Sequence, residues 1–169
     1  MSKIAFNLRS LSQNKQLIIS KSNWLLLGIT IIFNSFVSST EAQTNNIFVN
    51  SSLANEPLVI KGNSGGSIIA KEISQTENTA TGYCDGYVRY QPNHVIKLES
   101  FFDSLRLEVE SSADTTILVK GPGGVWCNDD AGSANPIIEG QWQPGIYQVW
   151  IGSYQANSND KYQIKITGK

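Results

Sequence analysis

The sequence is poor in the side chains that do most chemistry near neutral pH. Among 169 residues there is one histidine, His94, and there are two cysteines, Cys84 and Cys127. No CxxC pair occurs, so a zinc site would need carboxylates to complete it. Charged residues make up only 16% of the chain. Four of the 13 basic residues and one of the 14 acidic ones fall in residues 1–42, which leaves 9 and 13, a net charge of −4, for residues 43–169. That balance argues against a nucleic-acid binder, which normally shows a basic patch. Sustained helical periodicity with caps is absent after residue 42. A membrane span of about 20 apolar residues is also absent; the main apolar run is Trp24 to Phe33, trailing to Val37.

What is present begins with an address. Lys3, Arg9, Lys15 and Lys21 precede the apolar run, and Ser38, Ser39, Thr40, Glu41 and Ala42 follow it. The order basic, apolar, small is that of a secretory signal. With Thr40 and Ala42 before the scissile bond, cleavage is expected ahead of Gln43, with no stable membrane span afterwards. An uncleaved anchor is the alternative. No cysteine follows the run closely, which argues against a lipoprotein. The expected location is the periplasm, the cell envelope or the extracellular space. Two cysteines in such an oxidising place predict one disulfide, Cys84–Cys127.

The remainder reads as β-structure. Residues 43–56, rich in Asn and Ser, are expected to be a flexible leader, and residues 57–169 the folded domain. Pro57–Lys61 and Ser67–Lys71 read as strands, Gly62–Gly66 as a turn, and Glu72–Thr81 as a loop. Tyr83–Tyr90 is aromatic-rich and suits a strand. Leu105, Leu107 and Val109 alternate strictly with Arg106, Glu108 and Glu110. Ile117–Val119 reads as a buried strand that ends at the turn Gly121-Pro-Gly-Gly124. Ile146–Ile151 and the alternating Tyr162, Ile164 and Ile166 close the pattern. Short strands between Gly, Pro and Asn turns predict an all-β, antiparallel sandwich or barrel. Trp126, Trp142 and Trp150 are expected to anchor its core.

Three segments carry a resemblance. Asp114-Thr-Thr-Ile-Leu-Val-Lys-Gly-Pro-Gly-Gly-Val-Trp-Cys-Asn-Asp-Asp130 is followed by Asn135-Pro-Ile-Ile-Glu-Gly-Gln-Trp-Gln-Pro-Gly-Ile-Tyr-Gln-Val-Trp-Ile-Gly152 and by Tyr162-Gln-Ile-Lys-Ile166. Together they resemble the bacterial pre-peptidase C-terminal domain, in particular its stand-alone exported form in cyanobacteria. The resemblance covers about residues 82–167 and implies a jelly-roll-like β-sandwich. Such domains accompany secreted peptidases, and some relatives bind calcium or an extracellular polymer.

Two candidate sites follow. Gly62-Asn63-Ser64-Gly65-Gly66 resembles the Gly-Asp-Ser-Gly-Gly signature of trypsin-like serine peptidases. That family places its histidine before the serine and an aspartate at the position of Asn63, and this sequence does neither. A triad needs a base and an orienting group, so no catalytic residue is assigned and the motif is read as a Gly-rich turn. The second candidate is acidic: Asp114, Asn128, Asp129 and Asp130 supply the oxygen ligands that Ca²⁺ prefers. Asp85, next to Cys84, is expected near Asn128 through the disulfide. The function predicted is an exported, non-catalytic binding or structural module whose partner is an extracellular polymer or protein. The alternatives are a small hydrolase using Ser64 or His94 with Asp129 or Asp130, and a partner or inhibitor of a secreted peptidase.

Overall fold

The computed structural model describes residues 46–54 and 56–168; the signal segment and its cleavage point lie outside the described residues. In chain order the elements are β1 (Asn46–Val49), a 3-10 turn (Ser51–Ala54), β2 (Leu58–Asn63), β3 (Ile68–Ile69), α1 (Ala70–Ser74), β4 (Asn78–Thr79), β5 (Gly82–Tyr83) and β6 (Tyr87–Val88). They continue with β7 (His94–Leu98), β8 (Phe102–Ser111), β9 (Thr115–Gly121), β10 (Gly124–Asn128), β11 (Ile137–Trp142), β12 (Gly145–Ser153) and β13 (Lys161–Gly168). Among the described residues no helix is long and apolar enough to cross a membrane.

The fold is an all-β sandwich with predominantly antiparallel pairing. One sheet has four strands in the order β11-β8-β13-β2. The other has seven and is organised around β12. One side of β12 pairs with β7 and then, at Ser153, with β6. Its other side pairs with β9, which carries β10 on its far edge. β3 extends β6. β1 adds to β7 in parallel, the one parallel pair among the described strands.

Side-chain alternation explains the core. Leu105, Leu107 and Val109 of β8 and Tyr162, Ile164 and Ile166 of β13 point inward and are buried. They meet Ile96 and Leu98 of β7, Ile117 and Val119 of β9, and Tyr147, Val149 and Ile151 of β12 in one apolar cluster. Their neighbours on the outer face of the four-stranded sheet are polar, with Arg106 bridging Glu108 and Glu139. The seven-stranded sheet behaves differently. Leu118 and Trp150 point outward, yet both are buried, because α1 and the disulfide-bearing segment cover them in a second cluster with Ala70, Cys84, Val88 and Cys127. β9 therefore has apolar company on both faces, and that is why Ile117–Val119 reads as an unbroken apolar run rather than an alternation.

Trp142 and Trp150 are buried as expected, and Trp126, half-buried, stacks on Trp142 at 5.7 Å between ring centres. Three local expectations change. Residues 46–54 are not a leader but part of the sandwich: Val49 and Leu53 are buried in the main cluster and β1 pairs with β7. Four residues of alternating pattern inside an Asn/Ser-rich stretch are too short to register against that composition. The strand expected at Ser67–Lys71 shrinks to Ile68–Ile69 and gives way to α1. Tyr83–Tyr90 is two short strands broken at Gly86, whose φ is +82° and where a Cβ would crowd Thr116.

Candidate binding site

The site is best built from the motif that resembles a peptidase. Ser64 has no exposed surface. Its hydroxyl shares a 2.8 Å hydrogen bond with the Ser153 hydroxyl and donates to the Asp160 carbonyl, and its N–H donates to the same carbonyl at 2.8 Å. The flanking glycines are demanded by close approach. Gly65 sits at φ +83° with its N–H on the Ile151 carbonyl, and a Cβ at Gly66 would lie 2.1 Å from the Val88 carbonyl oxygen. Only glycine tolerates either place. The Gly-rich segment is thus a packed joint between the two sheets and the 154–160 loop.

His94 does not approach it as a base. Its Nε2 shares a 2.8 Å hydrogen bond with the Tyr162 hydroxyl, and the rings meet edge to face. Burial pushes the His94 pKa down and the Tyr162 pKa up, which keeps both groups neutral. Among the described residues no hydrogen bond joins Ser64 or His94 to Asp129 or Asp130; Asp130 donates its N–H to Asp129 Oδ1 at 3.1 Å. Between these groups Asn93 ties the sheets together: its Nδ2 donates to the Asn63 carbonyl at 2.9 Å and its Oδ1 accepts from the Ile151 N–H at 2.9 Å.

The Cys84–Cys127 disulfide is formed, with 5.0 Å between Cα atoms. It fastens the β4–β5 hairpin beside β10. The Thr79 hydroxyl accepts from the Cys127 N–H at 3.0 Å, and the Thr81 hydroxyl donates to the Cys127 carbonyl at 2.8 Å.

The hairpin of β9 and β10 runs back antiparallel, with Asn128 opposite Ile117. Asp114, Asp129 and Asp130 consequently share one end of it. Desolvation raises the Asp114 pKa first, and the negative charges of Asp130 and Asp129 raise it further. Asn128 is engaged through both atoms of its amide. Its Oδ1 accepts from the Ile137 N–H at 3.1 Å, and its Nδ2 donates to the Thr81 carbonyl at 2.8 Å. Thr81 and Gly82 lie against Asn128. Among the described residues no group of three or more His, Cys, Asp or Glu side chains is arranged to hold a metal ion.

Asp114 faces a different feature, a recess of about 260 Å³ lined by Ala113, Asp114, Ser153, Tyr154, Gln155, Ser158 and Asp160. The Tyr154 ring is 64% exposed. Among the described residues, no side chain or N–H donates to the Asp114 or Asp160 carboxylate, and neither forms an ion pair. The loop that carries most of this lining is held firmly. Asn157, in the left-handed region at φ 62°, donates its N–H to the Gly66 carbonyl at 2.7 Å, and Arg89 reaches Asn159 Oδ1 at 3.0 Å. A larger recess of about 460 Å³ lies beside β1. Its polar side chains partly satisfy each other, with the Ser52 hydroxyl and N–H both bonded to Asn50 Oδ1.

No protein-family model matches the chain. An uncharacterized protein of Synechococcus elongatus is 28% identical over 88 residues, which is 50% of this chain and 65% of that protein. The chain thus spans just under two thirds of that relative's length. The 1.0 Å crystal structure of the pre-peptidase C-terminal domain of collagenase from Bacillus anthracis is similar at 12% identity and a TM-score of 0.42, over 72% of this chain and 94% of that one.

Sequence reasoning found Asp114 but missed Tyr154, Gln155, Ser158 and Asp160. A signal was available. Tyr154-Gln-Ala-Asn157 repeats the pattern of Tyr90-Gln-Pro-Asn93, and both tyrosines are exposed, Tyr90 at 77%. Arg89, just before the first stretch, donates to Oδ1 of Asn159, two residues beyond the second.

Proposed function

We propose that this protein is an exported, non-catalytic β-sandwich module of the pre-peptidase C-terminal kind that binds an extracellular polymer or protein at the cell envelope or beyond. The observation that carries this reading is the use made of the chemically suggestive residues. Ser64 is sealed inside a joint, His94 is a buried partner of Tyr162, and the unengaged polar groups gather instead in an open recess. A disulfide supports the exported setting, since such bonds persist in oxidising compartments. The basic-apolar-small order of residues 1–42 supports it independently.

Two experiments test it. Incubation with isolated envelope material should give saturable co-sedimentation, and exported protein should begin at Gln43 on N-terminal sequencing. Absence of co-sedimentation, or an intact Met1 in the membrane fraction, removes the corresponding half of the reading. Against the hydrolase alternative, a fluorophosphonate probe should leave Ser64 unlabelled, and Ser64→Ala should leave binding intact. Labelling of Ser64 would reverse the assignment.

A further inference from the structure

We propose that the Asp114–Tyr154–Asp160 recess takes a neutral sugar unit of an extracellular oligosaccharide. The inference rests on the reading of the chain as a binding module.

The lining fits the chemistry of a polyol. A sugar ring offers hydroxyls that must both donate and accept, and a C–H face that is apolar. The Asp114 and Asp160 carboxylates are acceptors without donors among the described residues, so they can each take hydroxyls from a vicinal diol. The Ser158 hydroxyl and the Gln155 amide can donate as well as accept. The exposed Tyr154 ring stands in the wall and offers an apolar surface for the C–H face of a sugar. At about 260 Å³, the recess lies below the roughly 300–1,000 Å³ of pockets that enclose a drug-sized ligand, and it suits a single ring.

Order in the site favours binding. The Ser64 N–H and hydroxyl fix the Asp160 carbonyl, Asn157 is clamped to Gly66, and Asn159 to Arg89. A ligand here does not have to immobilise the loop, which lowers the entropy lost on binding. Charge narrows the class. Asp129 and Asp130 add negative potential at Asp114, so uronic or phosphorylated sugars are repelled and neutral ones admitted. A lone cation would use the carboxylates and leave the tyrosine ring, the amide and the hydroxyl without a part.

Affinity electrophoresis tests the proposal, with the purified protein run through native gels cast with galactomannan, xylan, a β-glucan or polygalacturonate. At least one neutral polymer should retard the wild type, and polygalacturonate should not. Tyr154→Ala should weaken the interaction at least tenfold and Asp160→Asn several-fold. Phe48→Ala, on the outer face of the seven-stranded sheet, should change nothing. Retardation by no neutral polymer, or retardation that survives both Tyr154→Ala and Asp160→Asn, overturns the proposal. So does tighter binding to an oligolysine peptide than to any glycan, which would assign a cationic partner. Envelope co-sedimentation that Tyr154→Ala leaves intact sinks the recess while preserving the module.

Discussion

Asp114 and His94 have shifted pKa values, one raised and one lowered, and they tilt stability with pH in opposite directions. Asp114 is exposed, and its acidity is weakened by its surroundings in the folded chain. The folded state therefore holds its proton more tightly than the unfolded state, and stability declines as pH rises through and above the ordinary carboxylate range. Asp114→Asn should raise the melting midpoint at pH 7 in low salt. The gain should shrink in 1 M salt, where the Debye length falls to about 3 Å. A gain independent of salt would point to local packing instead. His94 is buried and its pKa is lowered. Its contribution is complete above the ordinary histidine value and is lost as pH falls from there through the folded pKa. A series of melts from pH 7.5 to 5 should show a falling midpoint, with a shallower slope in His94→Gln than in wild type. At this scale the sequence was a good guide to where unusual residues sit and a poor one to what they touch. The Gly-Asn-Ser-Gly-Gly motif was visible. Its burial against Ser153 and Asp160 was not, because those partners lie 89 and 96 positions away.

Among the elements, strands with one wet face were legible and strands with none or with little length were not. β8 and β13 alternate because the four-stranded sheet has solvent on one side. β1, at four residues, has only Val49 fully buried, and its parallel pairing to β7 leaves no trace in local sequence. α1 was missed because five residues are too few to show a helical period. Glycines divide along the same line between structural demand and freedom. Gly66 lies against the Val88 backbone, whereas a Cβ added at Gly140, within β11, would meet nothing within 4 Å. Gly66→Ala must push β3 away from β6 and should lower stability by about 2 kcal/mol or more, as strain in a packed joint does. Gly140→Ala should be neutral or stabilising by up to about 1 kcal/mol, since alanine has less freedom to lose in a strand. Chemical denaturation of the pair checks both. Equal effects would mean that the close approach at Gly66 relaxes without resistance.

For the whole molecule, the disulfide links the cover of the seven-stranded sheet to the sheet itself. It joins residues 43 positions apart. In the chain-entropy model such a loop contributes roughly 4 kcal/mol. Reduction should lower the unfolding midpoint in denaturant accordingly, and it should red-shift the emission of Trp150 if α1 and the hairpin loosen from β9 and β12. An unchanged midpoint after verified reduction would show that the cover holds without the bond. The pairing itself was legible from two cysteines behind a signal-like segment. The recess was not, because it is assembled from the end of β12, the loop that follows it and the turn before β9, and of its lining only Asp114 sat in a segment that stood out in the sequence.

The hairpin that lies along β10 has one more consequence. Thr79 and Thr81 occupy the outward N–H and C=O of Cys127 with side chains, so no other strand can dock there. An edge left with open backbone groups is a template for pairing with a second chain. Once the Cys84–Cys127 bond is cut, the threonines can leave and β10 is open to recruit a neighbour's strand. Reduction should therefore promote β-rich association along β10, and light scattering of the oxidised and the reduced protein at equal concentration checks it.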